Sequence, residues 1–401
     1  MNIRKHIKGG GAVTALFISA AVLGVTAPVS AGGPGSAGMQ VLKSDMSPRA
    51  AGMGGAFVAV ADDIYTMSYN PAGLGQLYIP EASAVLHQSG FDDSSMNNIS
   101  FGLPLPFIGL GGLAKPGFGI SLMLSDAGSF NYRQRVPNTA PAHIGEFNTT
   151  SQSYDAQKDV ALTFGYGEKV YSGEVNLEGY NAKIEQYLGL NIKYLKSTML
   201  ERYSASAFAF DGGWLMLEPN LGLSLGASIS NYGSGLKYGT EQTTLPSILR
   251  LGASWEKPTV MDQSILLAAE GDFYMAEGGK SLRFGLEYHF EKVFNLRLGY
   301  KAAEDNKGMT MGLGLHYNDM SLDFSSAIGN EVYNAKQLAF SYRFSGITIG
   351  EYKKKMNFKD PGQPDAARKP SAQEQKPARQ ERKPAKAAPE KKKDSDFFWI
   401  Y

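Results

Sequence analysis

From about Glu81 to Phe344, large apolar side chains recur at every second position in segments of about ten residues, each followed by a short polar or glycine-bearing link. In 219–231, Leu221, Leu223, Leu225, Ala227 and Ile229 share one face, while Gly222, Ser224, Gly226, Ser228 and Ser230 share the other. In 280–290, Leu282, Phe284, Leu286, Tyr288 and Phe290 oppose Arg283, Gly285, Glu287 and His289. A period of two is the signature of a strand, since successive side chains point to opposite faces. The pattern predicts strands near 81–88, 97–104, 117–126, 157–168, 183–196, 200–211, 219–231, 246–256, 263–274, 280–290, 293–302, 308–317, 319–327 and 335–344.

A soluble sandwich would put Lys, Glu and Thr on its solvent face, but here the polar stripe is mostly Gly, Ser and Ala with an occasional Arg, Glu or His. Most apolar stripes also close on an aromatic residue. An apolar outside with aromatic ends and a small or polar inside predicts an all-β fold, a transmembrane antiparallel barrel of fourteen strands in outer-membrane lipid. An even count puts both barrel termini at one end, so links after odd-numbered strands lie at the other and should be longer. The links 127–156 and 231–245 follow odd strands as required. The link 169–182 does not, and is expected to be a separately folded excursion on the terminal side.

The ends divide the chain further. Residues 1–31 read as a signal peptide: Arg4, Lys5 and Lys8 precede the apolar run Ala12–Thr26, and small residues allow cleavage after Ala31. Residues 32–80 precede the first strand, 81–350 hold the barrel, and 351–401 lose the alternation altogether. That tail carries 14 Lys and Arg against 8 Asp and Glu, a net of +6 that leaves residues 32–350 at −8. Its composition predicts a disordered periplasmic arm. The apolar end Phe397, Phe398, Trp399, Ile400 and Tyr401 predicts a docking segment for a secretion or envelope protein. With no cysteine, neither disulfides nor thiolate metal sites contribute.

Residues 48–75, PRAAGMGGAFVAVADDIYTMSYNPAGLG, are crowded with small residues. The glycines do not make a dinucleotide loop, because no strand precedes them and Phe57 stands where the third glycine belongs. No cofactor and no nucleic-acid partner is expected. The stretch RAAGMGGAFVAVADD followed by YNPAGL resembles the N-terminal signature of the PorV/PorQ family, within the wider FadL-like fourteen-stranded barrels. The similarity continues through EPNLGLSLGASISNYGSGLKY, LPSILRLGASWE, NLRLGYK and LAFSYRF. The resemblance implies that this segment lies in the lumen as a plug, with Arg49, Gly52, Gly54, Gly55, Asp62, Asp63, Asn70 and Pro71 in it. Asp62 and Asp63 are expected to meet lumen-facing arginines such as Arg250, Arg297 or Arg343.

The inward stripe also carries Arg283, Glu287, His289 and His316. No G-x-S-x-G elbow or H-E-x-x-H motif accompanies the four histidines after residue 31, so no enzyme is expected and the histidines read as polar lining. Two roles follow. The resemblance implies a component or partner of an outer-membrane export system, which the tail favours. The alternative is a FadL-like passage for a small hydrophobic molecule.

Overall fold

In the computed structural model the described residues are 32–88, 94–133, 151–177, 180–258, 263–303, 307–328 and 335–346. Residues 1–31, on which the signal-peptide expectation falls, and the tail with Phe397–Tyr401 lie outside them.

Fourteen strands close into one antiparallel barrel. They are β1 (Glu81–Gln88), β2 (Ser95–Pro104), β3 (Gly117–Asp126), β6 (Gln157–Leu177), β7 (Tyr180–Met199), β8 (Tyr203–Glu218) and β9 (Leu223–Gly233), followed by β12 (Ile248–Pro258), β13 (Ser264–Tyr274), β14 (Lys280–Phe290), β15 (Phe294–Ala303), β16 (Gly308–Tyr317), β17 (Met320–Ile328) and β18 (Lys336–Arg343). Each pairs with its neighbours in sequence, and β1 closes on β18 from Glu81↔Arg343 to Gln88↔Lys336. Closure leaves no free edge around the ring, which a sheet in hydrocarbon requires. The expected count of fourteen is met.

Glu81 and Arg343 are register partners, so the chain enters and leaves the barrel at one end, here the terminal end. The links after β3 and β9 stand at the opposite, loop end, and each carries a small hairpin: β4 (Ser129–Tyr132) with β5 (Gln152–Asp155), and β10 (Leu236–Tyr238) with β11 (Glu241–Thr243). The stretch 169–182 is no separate excursion. β6 and β7 run on past the barrel rim as a continuous hairpin to Asn176↔Asn181, absorbing one irregularity between Lys169 and Tyr171. β8 likewise starts and ends later than the alternation suggests, because Leu200 and Glu201 turn the chain with φ of 54° and 58° and strand pairing begins at Tyr203.

The predicted facing holds. Leu190, Ile192, Phe208, Phe210, Leu298 and Leu313 are exposed on the outer surface, while Ser228, Arg250, Arg283, Glu287 and Arg297 are buried. An apolar exterior over a charged interior is stable only with lipid outside, so the barrel spans a membrane. Gly222 departs from its expected place on the inward stripe. With φ +70° it makes the turn before β9, and a Cβ there would strike the Glu256 carbonyl oxygen.

Candidate functional site

Residues 32–80 form short pieces and no barrel strand. A 3-10 turn (Gln40–Lys43) is followed by α1 (Pro48–Gly52), where Pro48 occupies the first turn and Ser47 Oγ accepts from the Ala50 amide at 3.3 Å. α2 (Thr66–Tyr69) leads into a second 3-10 turn (Pro71–Gln76), capped by Asn70 through the Ala72 amide at 3.2 Å.

This segment touches the inward face of every barrel strand. Tyr65 packs with Val85 of β1, and its hydroxyl is 3.0 Å from Ser341 of β18. Ile64 abuts Gly102 of β2, Met67 abuts Gly119 of β3, and Leu74 abuts Gly165 of β6. Asn191 of β7 donates to the Met67 carbonyl at 2.7 Å, Asn70 to the Trp214 carbonyl of β8 at 2.9 Å, and Ser228 of β9 to the Tyr69 carbonyl at 2.6 Å. Ser254 of β12 donates to the Ala59 carbonyl, and Glu270 of β13 accepts both the Phe57 and Val58 amides at 2.7 Å. Met53 lies on Gly285 of β14, Gly54 on Gly299 of β15 and Gly52 on Gly312 of β16, with α1 beside β17. A segment in contact with the inner face of a closed ring on all sides lies within it.

The small residues are there because backbones meet. Gly54 has φ +69°, and a Cβ on it would come within 2.9 Å of the Phe284 carbonyl and the Tyr300 amide. A Cβ on Gly299 would strike the Gly54 nitrogen. Gly299→Ala is therefore expected to push Met53 and Gly54 off the wall while the barrel stays closed. The check is tryptic cleavage after Arg49 in folded protein, which should speed up by about tenfold for roughly 1–3 kcal/mol of overpacking. An unchanged rate would show that the seam can absorb a methyl group.

Buried ion pairs join the segment to the wall. Arg49 bonds Glu287 at 2.9 Å, Asp63 at 3.0 Å and Asp62 at 2.5 Å. Glu287 also takes Arg297 Nε at 2.8 Å, and Arg297 reaches Asp323 at 2.5 Å. The partner of Asp62 and Asp63 is thus Arg49 of their own segment and not the arginines expected. Arg297 is committed to two wall carboxylates, Arg250 lies 3.7 Å from Glu270 and donates to Ser230 at 2.8 Å, and Arg343 lies 3.5 Å from Glu81 at the terminal mouth. Although adjacent in sequence, Asp62 is half-exposed and Asp63 buried, and burial pushes the Asp63 carboxyl up against the pull of Arg49.

A second network centres on Asp45, which takes Arg283 at 3.1 Å and the Lys301 ammonium; Arg283 continues to Asp272 at 2.8 Å. Burial opposes ionisation of Asp45, but Lys301 and Arg283 outweigh it and hold the carboxyl well below its ordinary value. Gly55, with φ +82°, lies where a Cβ would collide with the Arg283 guanidinium. His289 and His316 are linked by Asn295 at 2.8 and 2.7 Å, with His289 Nε2 3.5 Å from Glu287.

The loop-end half of the lumen is different in kind. Inward-facing Met96, Met123, Ala161, Leu195, Ala205, Ala207 and Ala209 form one buried apolar cluster. Met39, Leu42 and Met46 of the N-terminal segment fill it, and Leu236 of β10 and Leu245 cover it. This patch was missed in the sequence because methionine and alanine on a stripe of Gly, Ser and Ala do not break its pattern. The methionines at inward positions 96 and 123 were the available signal.

The segment is fastened at the loop end. Glu277, in the β13–β14 turn, accepts from Lys43 Nζ at 2.7 Å, Gln40 Nε2 at 2.6 Å and the Ala37 amide at 3.3 Å. Burial disfavours the charged form, and these donors more than offset it, so the carboxyl titrates below its ordinary value. A depressed folded value means the latch contributes fully above the ordinary carboxylate value of about 4.5 and is lost as pH falls through the lower folded value. Hydrogen exchange at the Ala37 amide should stay slow from neutral pH down past about 4.5 and quicken only below it. In Glu277→Gln the pH step should vanish and exchange should be fast throughout; a step that survives would assign it to another group.

Fold and site together define a membrane-spanning β-barrel whose lumen is occupied by its own N-terminal segment. No protein-family model matches the sequence, and no curated protein sequence matches it either. Among solved structures it is similar to the Ralstonia pickettii toluene transporter TbuX (13% identity, 74% of this chain and 98% of that chain, TM-score 0.48). It is also similar to the P. putida toluene transporter TodX (10% identity, 70% and 94%, TM-score 0.43) and, more remotely, to a mutant Rh. blastica porin (11% identity, 66% and 99%, TM-score 0.30).

Proposed function

We propose that this chain is an outer-membrane channel for small hydrophobic compounds, with residues 32–80 as its plug. The buried methionine-rich cluster in the loop-end half of the lumen carries this reading. A water-filled pore has a polar lining, whereas this half offers flexible thioethers and alanine methyls, which adapt to apolar ligands of varied shape. Met39, Leu42 and Met46 stand where such a ligand would sit, so binding requires that they give way. The charged half below keeps water and ions from following, because its groups are already paired with one another.

The loop end, with its longer links, is read as the outside. A polar substitution in the chamber tests the channel. Ala207→Asp in intact cells, whose outer leaflet resists unaided entry of apolar probes, is expected to cut entry of N-phenylnaphthylamine by about tenfold, since an unpartnered carboxylate in an apolar site costs several kcal/mol. Heat-modifiable migration should report a folded barrel. Unaltered entry in that folded variant would reject the chamber as the route. Deleting Arg49–Asp63 should raise conductance in planar bilayers if the segment is a plug.

A second reading, a partner of an export system of the PorV/PorQ type, has one supporting feature among the described residues. The β2–β3 link at the terminal end exposes Phe107, Ile108, Leu110 and Leu113 beyond the barrel rim, an apolar surface suited to protein contact. Co-purification of envelope proteins that is lost in Leu110→Glu would favour it.

A further inference from the structure

The outer wall carries a groove that the channel reading does not use. Near the loop end, β13, β14 and β15 leave a depression of about 450 Å³ bounded by Phe273, Leu282, Tyr300 and Ala302, with Lys280 and Lys307 at its rim. The register explains the shape. Leu282 stands between Gly271 on one side and Ala302 on the other, so small residues on the outward stripe keep the floor low. Phe273 is opposite Lys280, and Tyr300 is opposite Phe284. Through Tyr300 the depression runs on into a second apolar one of about 620 Å³, floored by the cross-strand partners Ala253 and Ala269 and bounded by Trp255 and Leu267.

We propose that this groove binds a membrane lipid with a net negative phosphate headgroup, its chain along Leu282, Tyr300 and the Ala269 floor and its phosphate between Lys280 and Lys307. The floor belongs to the bilayer-facing stripe, so the occupant comes from the bilayer. Charge selects which lipid. By alternation Lys280 and Lys307 both point outward at the loop end, where a lysine stem can lie along apolar surface and carry its ammonium to headgroup level. Neither makes an ion pair among the described residues, and Glu304 and Asp305 lie outside those residues. Asp272, the carboxylate of the described lining, is engaged by Arg283 at 2.8 Å.

The test is native mass spectrometry of the full-length protein in detergent, offered phosphatidylglycerol or phosphatidylcholine with identical chains. One phosphatidylglycerol should be retained about tenfold more than phosphatidylcholine, from two ammonium groups near an anionic headgroup. Lys280→Ala with Lys307→Ala should bring the two lipids to parity, while Ala302→Trp, which fills the floor and keeps both lysines, should reduce retention of both. Lys336→Ala, an exposed lysine at the loop end of β18 away from the groove, should change nothing. Equal retention of the two lipids by the unaltered protein would overturn the proposal. So would an equal loss in Lys336→Ala, or displacement by inorganic phosphate, which would reduce the lysines to a simple ion site. Heat-modifiable migration confirms that each variant is folded.

Discussion

Leu313→Arg is expected to destabilise the folded barrel by about 2–4 kcal/mol, the cost of a cation on the lipid face near the bilayer midplane. Leu313 is central in β16 and exposed on the outer face, between Phe324 of β17 and Leu296 of β15. No inward group can reach it, and from mid-strand the arginine has the longest distance to snorkel. Its neighbour Gly312 provides the contrast. A Cβ there would sit 3.2 Å from the Gly52 Cα and 3.2 Å from the Arg297 Cβ, so Gly312→Ser presses on the N-terminal segment and meets no lipid. Heat-modifiable migration on gels should therefore be lost for Leu313→Arg and kept for Gly312→Ser. The reverse result would mean that the assigned faces are inverted.

The same facing explains what could be read from the sequence. A strand between lipid and lumen is forced into strict alternation, so Leu313 against Gly312, or Phe284 against Arg283, is legible without a structure. Strand ends obey no such rule beyond the rim. β6 and β7 continue past Gly167 because they pair with each other, although β3 stops there, and Glu, Tyr and Val in that stretch leave no regular stripe. The pairing of charges was illegible for a different reason. Arg49 finds Asp62 and Asp63 because the chain between them folds back inside the barrel, a path set by contacts at Gly52, Gly54 and Gly299 that are remote in sequence. Spacing alone left Arg250, Arg297 and Arg343 as equally good partners.

Glu287→Gln should have the largest effect on the lumen, about 3 kcal/mol, near the lower limit for breaking a buried ion pair from one side. Glu287 is fully buried on β14 and accepts from Arg49 Nε and Nη2 and from Arg297 Nε. An amide of the same shape keeps the volume but removes the negative charge between two guanidinium groups, and its NH₂ end can only donate where they also donate. Arg297 retains Asp323 and Arg49 retains Asp62 and Asp63, which keeps the cost at the low end. What is lost is the wall carboxylate that holds Arg49, so the segment should loosen before the barrel opens. Tryptic cleavage after Arg49 should become fast in protein that still migrates as folded, and thermal unfolding in detergent should begin earlier. Arg49→Leu in the Glu287→Gln background should then add much less than Arg49→Leu alone, because its wall partner has already gone. Full additivity of the two substitutions would show that Arg49 and Glu287 do not act together, and the wall contact would have to be sought in Asp45 with Arg283 and Lys301.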